Sequence, residues 1–355
     1  MVVASPFHFQ LPDALAAGEP PEKRGLARDD VRLMTLRRDT DDWQHGRFRD
    51  LAGHLRPGDC LVFNASRTLP ASLRAQVRSG HGAPTGPALE IRLAQRLAEG
   101  DFLALALDAK EDPWPGDLRG SRLELGLDLE AEVLDRDPRL PRLWKIRMGK
   151  SGPELMDLLC RLGQPVRYWY SSRPWSLDYY QTVFAREPGS MEMPSAGRAF
   201  TWESLLGLCR RGIGIAFLIL HAGLSSYMDR EYDATHPTSE EPYVIHPHAA
   251  ERINRAKASG GRIIAVGTTV VRALESAVDG AGQVSAREGN TRLRITREHR
   301  LRAVDGLLTG FHEPEASHLD LLTAFLPEDR LLSAYGEAIR QGYLWHEFGD
   351  LNLIL

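Results

Sequence analysis

Cysteine is scarce in this chain: three residues in 355, Cys60, Cys160 and Cys209, far apart and in no C-x-x-C pair. Such spacing supplies neither a disulfide framework nor a cysteine zinc site, so a reducing compartment and no metal are expected. Long hydrophobic runs are missing too. The longest are of the size of IAFLIL, 215–220, far too short for a bilayer, and the start, MVVASPFHFQLPDAL, lacks the basic and apolar regions of a secretory leader. The expectation is a cytoplasmic protein with no membrane partner. Neither charge dominates: 44 Lys and Arg face 48 Asp and Glu, a formal net charge of -4. This excludes a global polycation and leaves nucleic acid only a local basic face. One candidate face exists at 287–302, where Arg287, Arg292, Arg294, Arg297, Arg300 and Arg302 stand with only Glu288 and Glu298 as acids. A solvated, arginine-rich hairpin is the other reading of that segment.

Hydrophobic residues make up 43% of the chain, ample for a core, and 355 residues exceed the usual single-domain size. Strand candidates at 31–36 and 60–64 open the sequence. From 69 to 149 the texture changes to short alternating strands, ASLRAQV, ALEIRLAQR, FLALALD, RLELG, LEAEVLD and LWKIRM, separated by Gly, Pro and Asp turns. That pattern predicts a small antiparallel β-barrel inserted into an α/β main domain formed by 1–68 and 150–355. In the second part, helical patterns (PELMDLLCRLG, WESLLGLCRRG, HAAERINRAKASGG) alternate with apolar strands at 215–220, 243–245 and 263–266. There is no internal repeat and no low-complexity tract.

The stretch GGRIIAVGTTVVRALESA, 260–277, reads as strand, sharp turn and helix. Thr268 and Thr269 are expected to cap the helix, whose unpaired amides form a seat for a carboxylate or phosphate. Arg272 and Glu275, three apart on that helix, are candidates for a ligand carboxylate and a ligand donor respectively; a plain capped helix packed on the sheet is the alternative. His221 follows IAFLIL, and His312 follows the apolar segment 307–311. The PSAGRAFT segment, 194–201, leads into a helix capped by Thr201. All these positions fall at strand ends, where α/β sheets bind their ligands. Either histidine alone could equally be a hydrogen-bonded structural group.

Several segments carry a resemblance over nearly the whole length: FHFQLPDAL, GDCLVFNASRTLPASL, LDYYQTVFAREPGSMEMPSAGRAFT, IAFLILHAGL, AAERINRAKASGGRIIAVGTTVVRALESA, DGLLTGFHEP and GYLWHEFGDLNLIL. In this order the sequence resembles the S-adenosylmethionine:tRNA ribosyltransferase-isomerase family of queuosine biosynthesis. The resemblance implies an α/β domain with an inserted β-barrel, and S-adenosylmethionine consumed as a substrate. Its ribosyl portion would pass to a 7-aminomethyl-7-deazaguanine base in tRNA, giving epoxyqueuosine, adenine and methionine. By this likeness His221, His312 and Glu241 are the catalytic candidates. Gly267, Thr268, Thr269, Arg272, Glu275, Ser195, Gly197, Phe200, Gly223 and Phe311 are expected to bind S-adenosylmethionine. Tyr180, Gln181, Arg198, His236 and Tyr243 are expected at the acceptor, and Thr182 completes the family's Y-Q-T.

Departures fall inside the same motifs. Arg198 and Ala199 replace a leucine and a histidine, Ser225 a glycine, and Ser239 a histidine. Gly310, Glu313 and Glu315 replace an asparagine, a leucine and a lysine. Three readings therefore stand: the family reaction on tRNA, with 287–302 as the RNA face; a reaction of S-adenosylmethionine with a small-molecule substrate; and a non-catalytic binding protein.

Overall fold

The structure, a computed structural model, describes residues 7–40, 42–78, 84–171, 173–233, 240–314 and 316–355. His236, Ser239 and Glu315 lie outside the described residues. Nine strands form one sheet in the order Arg287–Thr291, Glu241–Ile245, Gly214–Leu220, Cys60–Asn64, Ile263–Val266, Gly306–Gly310, Leu351–Ile354, Arg32–Leu36, Trp43–Arg47. The middle four run parallel. Cys60–Asn64 and Ile263–Val266 are buried at every position, which is why, up to the polar Asn64, they read as apolar runs and not as alternating ones. One sheet face carries Val62, Ala216 and Leu218 against Ile253 of helix Pro247–Ala258 and Val271 and Leu274 of helix Thr268–Ala277. The other carries Phe63, Ile215 and Val266 against Leu205 and Leu208 of helix Trp202–Arg210. The result is an α/β/α layered body.

The six strands expected between 69 and 149 close into an antiparallel barrel: Ser72–Arg78, Pro84–Ala98, Asp101–Leu107, Arg122–Gly126, Leu129–Arg136 and Leu143–Met148. Leu129–Arg136 shows the alternation that places one row of side chains inside and one in solvent. The barrel sits over one end of the central sheet. Leu224 N–H donates to the Ala94 carbonyl at 3.0 Å, and Met191, Leu224 and Tyr227 of the sheet-edge loops belong to the barrel's hydrophobic cluster. The segment 287–302 is not a hairpin: Arg287–Thr291 pairs as an edge strand with Glu241–Ile245, and no strand follows until Gly306–Gly310.

Candidate functional site

Because the four central strands are parallel, their carboxyl ends share one edge, and that edge gathers Ser66, His221, Gly267 and His312. From the strand before His221 to the strand before His312 there are three steps, about 14 Å at the usual strand spacing. The two histidines thus stand at opposite ends of the parallel strands' edge, a spacing that suits an extended ligand. Buried Asn64 ties this edge together: its amide donates to the Leu220 carbonyl (2.8 Å) and the Thr269 hydroxyl (3.4 Å) and accepts from Ser66 N–H (3.0 Å) and Leu220 N–H (3.0 Å).

His221 is held by a relay. Its Nδ1 lies 2.7 Å from Ser66 Oγ, which lies 2.7 Å from Ser190 Oγ. Ser190 Oγ accepts from Ala222 N–H at 3.1 Å and lies 3.5 Å from the Leu220 carbonyl. The hydroxyl chain can run in either sense, so Nε2 can carry a proton or a lone pair. Burial holds the imidazole below its ordinary pKa, so it is neutral at neutral pH. Gly189 lies flat against this ring: a side-chain carbon there would collide with it.

At the next site along the edge, Gly267 itself occupies the cap position of helix Thr268–Ala277, with φ 97° and no side-chain cap. The expectation that Thr268 and Thr269 cap the helix is therefore corrected; both are already helical. The glycine is needed because a left-handed φ brings the chain straight from strand into helix. The Thr268 and Thr269 amides have no acceptor among the described residues, and the positive helix end faces the edge. The Ser195–Gly197 turn packs beside it, with Ala196 Cβ 3.6 Å from where a Gly267 Cβ would sit. Thr201 caps the next helix as expected, accepting from Ser204 N–H at 3.1 Å.

A second group of residues, of which the sequence singled out only Ser225 and Glu313, lies around His312. Its Nε2 lies 3.1 Å from Thr309 Oγ1, its carbonyl accepts from Trp345 Nε1 at 3.0 Å, and its ring stacks on His318 at 4.8 Å. Burial, then the neighbouring His318 and His346, drive its pKa well below normal. Beside it, Tyr170 stacks on His346 at 3.7 Å and donates to Glu347 at 2.6 Å. Tyr168 donates to Glu192, which also accepts from Ser225 N–H at 2.8 Å and Ser225 Oγ at 3.1 Å. Burial pushes the Glu192 carboxyl up to about 7 against those donors. Burial likewise raises Glu347 and Glu313. The signal available in the sequence was the aromatic run RYWYSS beside three acids that lie in the quoted motifs; nothing in its spacing joins 168–170 to 345–347.

Several expected ligand contacts turn out to be committed internally. Arg272 forms a buried ion pair with Glu241 and donates to the Leu293 carbonyl at 3.2 Å. Glu241 also accepts from Gly223 N–H at 3.3 Å, so both members of the pair have partners within the fold. Glu275 accepts from the Arg302 and Ala303 amides at 3.0 and 2.8 Å and lies 3.2 Å from His299 Nε2, its side chain wholly buried. Arg198 pairs with Glu22 at 2.9 Å and donates to the Tyr179 carbonyl at 2.8 Å. Gln181 pairs through its amide with the Thr68 backbone at 3.1 and 2.8 Å. Phe200, Phe311 and Tyr243 lie inside hydrophobic clusters, and Tyr180 packs on Phe348 at 5.1 Å. Gly197 is pressed against Phe184 and Gly223 against the Ala94 carbonyl. In this structure these residues help build the edge, because a buried charge or amide finds its partners within the fold. Among the described residues no group of three or more His, Cys, Asp or Glu could hold a metal ion, and no helix is long and apolar enough to cross a membrane.

Of the six arginines from 287 to 302, three carry acid partners: Arg292 with Glu240 (3.1 Å), Arg294 with Asp320 (2.6 Å) and Arg297 with Glu298 (3.0 Å).

The family model described as "Queuosine biosynthesis protein" matches residues 4–354. An S-adenosylmethionine:tRNA ribosyltransferase-isomerase from Thermus thermophilus is 38% identical over 361 residues, 98% of each chain. Its namesake from Desulforamulus reducens is 34% identical over 355 residues, 99% of each chain. The crystal structure of S-adenosylmethionine tRNA ribosyltransferase from Thermotoga maritima is 29% identical, covering 99% of this chain and 100% of that one at a TM-score of 0.55. With likeness running end to end, through the barrel as well as the parallel sheet, this chain belongs to the queuosine biosynthesis protein family.

Proposed function

We propose that this chain uses S-adenosylmethionine as a substrate, transferring and isomerising its ribosyl portion onto a 7-aminomethyl-7-deazaguanine base in tRNA to give epoxyqueuosine, adenine and methionine. The observation that carries the reading is the neutral His221 on its serine relay, on the same sheet edge as the open helix start at Gly267. A sulfonium acidifies the adjoining 5′-carbon, and a neutral imidazole whose Nε2 has no partner among the described residues is the group to take that proton. Ring opening then expels adenine, which needs a proton as it leaves. Glu192, with a pKa near neutrality, can hold one at the operating pH. The Thr268 and Thr269 amides offer the methionine carboxylate a seat without a cationic side chain.

A second reading, a small-molecule acceptor, is favoured by charge: Glu192, Glu313 and Glu347 lie together near the edge, while Arg292 and Arg294 already have acid partners. One experiment separates the readings. The chain is incubated with S-adenosylmethionine, with and without tRNA bearing the deazaguanine base, and adenine and methionine are quantified chromatographically. RNA-dependent adenine release supports the family reaction. Release at full rate without RNA replaces tRNA by a small acceptor, and no release in either tube removes the use of S-adenosylmethionine.

A further inference from the structure

The two faces of the large sheet are covered unequally. Helices Ser317–Leu322 and Glu328–Arg340 join Pro247–Ala258 and Thr268–Ala277 in the hydrophobic cluster of one face, whereas Trp202–Arg210 is the one α-helix among the described residues that enters the cluster of the other. Leu205 and Leu208 turn its inner side to the sheet. At 3.6 residues per turn, that leaves Trp202, Leu206 and Cys209 in one outward row. All three are exposed, Trp202 at 55% and Leu206 at 54%, although tryptophan normally buries its large ring. Glu203 and Arg210 flank the row, both exposed, and neither side chain has a partner among the described residues. Next to Leu206, Gly207 leaves a notch: nothing lies within 4 Å of where its Cβ would stand.

We propose that this helix face is the interface of a homodimer, in which two copies pair their Trp202–Arg210 helices antiparallel about a twofold axis between positions 206 and 207. A twofold contact must be complementary to itself, residue i meeting j while j meets i. This face is. Glu203 and Arg210 stand on the same side of the row, each about 5 Å along the helix from the axis and in opposite directions, so Glu203 of either copy meets the partner's Arg210. Leu206 meets its own copy on the axis, over the Gly207 notch, and Trp202 covers the partner's Cys209. A parallel pairing would instead set Glu203 on Glu203 and Arg210 on Arg210, so the charges select the antiparallel one. The helix has nine residues and is about 14 Å long. A contact of that length falls below the roughly 1,200 Å² of a stable complex, and the dimer is weak, half-formed on the order of 100 µM. It holds whichever acceptor the sheet edge serves.

Sedimentation equilibrium of the full chain, from about 5 to about 500 µM, spans that constant and tests the dimer. The wild type should pass from monomer to dimer across the range. Trp202→Ala, at an exposed position that leaves the core untouched, should weaken association about tenfold or more. The charges supply the sharper test. Glu203→Arg alone and Arg210→Glu alone each set like charges across the twofold and should sediment as monomers, with circular dichroism confirming that both are folded. An equimolar mixture of these two variants should associate again, because each mixed pair places the new arginine opposite a glutamate at 210 and the native Arg210 opposite the native Glu203. A wild type that stays monomeric throughout, a dimer indifferent to Trp202→Ala, or a mixture that associates no better than either variant alone would each overturn the assignment.

Discussion

Arg272 was expected to grip a ligand carboxylate; in the structure its partner is Glu241, and the two assignments predict opposite phenotypes for Arg272→Ala. The carboxylate left behind is 2% exposed, and its remaining donor is the Gly223 amide at 3.3 Å. Breaking a buried pair by removing one member costs about 3–5 kcal/mol, because the other charge can neither leave nor be solvated. For a chain of 355 residues the unfolding entropy is about 0.7 kcal/mol/K, so the melting temperature should fall by about 4–7 °C. Replacing both residues, Glu241→Leu with Arg272→Met, removes the stranded charge and should restore most of that loss. Scanning calorimetry on the three variants measures the effect, and titration with S-adenosylmethionine under folded conditions measures binding. An Arg272→Ala protein that melts with the wild type but no longer binds S-adenosylmethionine would refute the reasoning and return Arg272 to the ligand.

Three further outcomes are expected. His221→Ala should keep its melting profile and lose about a hundredfold or more in adenine release, while Ser66→Ala, which removes only the ring's holder, loses about tenfold; early melting with activity per folded molecule intact would make the histidine structural. Gly189→Ala should match His221→Ala in turnover without a change at the histidine itself, since the added methyl displaces the ring from Ser66; unaltered turnover rejects the packing argument. Glu192, raised from 4.5 to about 7 by burial, binds more protons folded than unfolded between those values. Its contribution is therefore fully present below pH 4.5 and lost as pH rises through 7, at most about 3 kcal/mol. Glu192→Gln should raise the melting temperature at pH 8 relative to wild type, with the gain vanishing towards pH 4.5; a pH-independent difference contradicts the assignment.

What the sequence determined by itself was everything encoded in local period and punctuation. The six alternating strands between Ser72 and Met148, the largely apolar strands Cys60–Asn64 and Ile263–Val266, and the Thr201 cap were legible because a strand's pattern and a helix start depend on neighbours a few residues away. The strand-end positions of His221, Gly267 and His312 followed from the same patterns. The partners of the charged residues were not legible. Glu241 and Arg272 are 31 residues apart, Glu22 and Arg198 are 176 apart, and Tyr170 and Glu347 are 177 apart. An arginine one turn into a helix reads identically whether it holds a ligand or a glutamate from a distant strand. Only the tertiary structure decided between these, because which carboxylate meets a buried guanidinium is set by how the sheet orders its strands, and strand order is a long-range property that no local spacing carries.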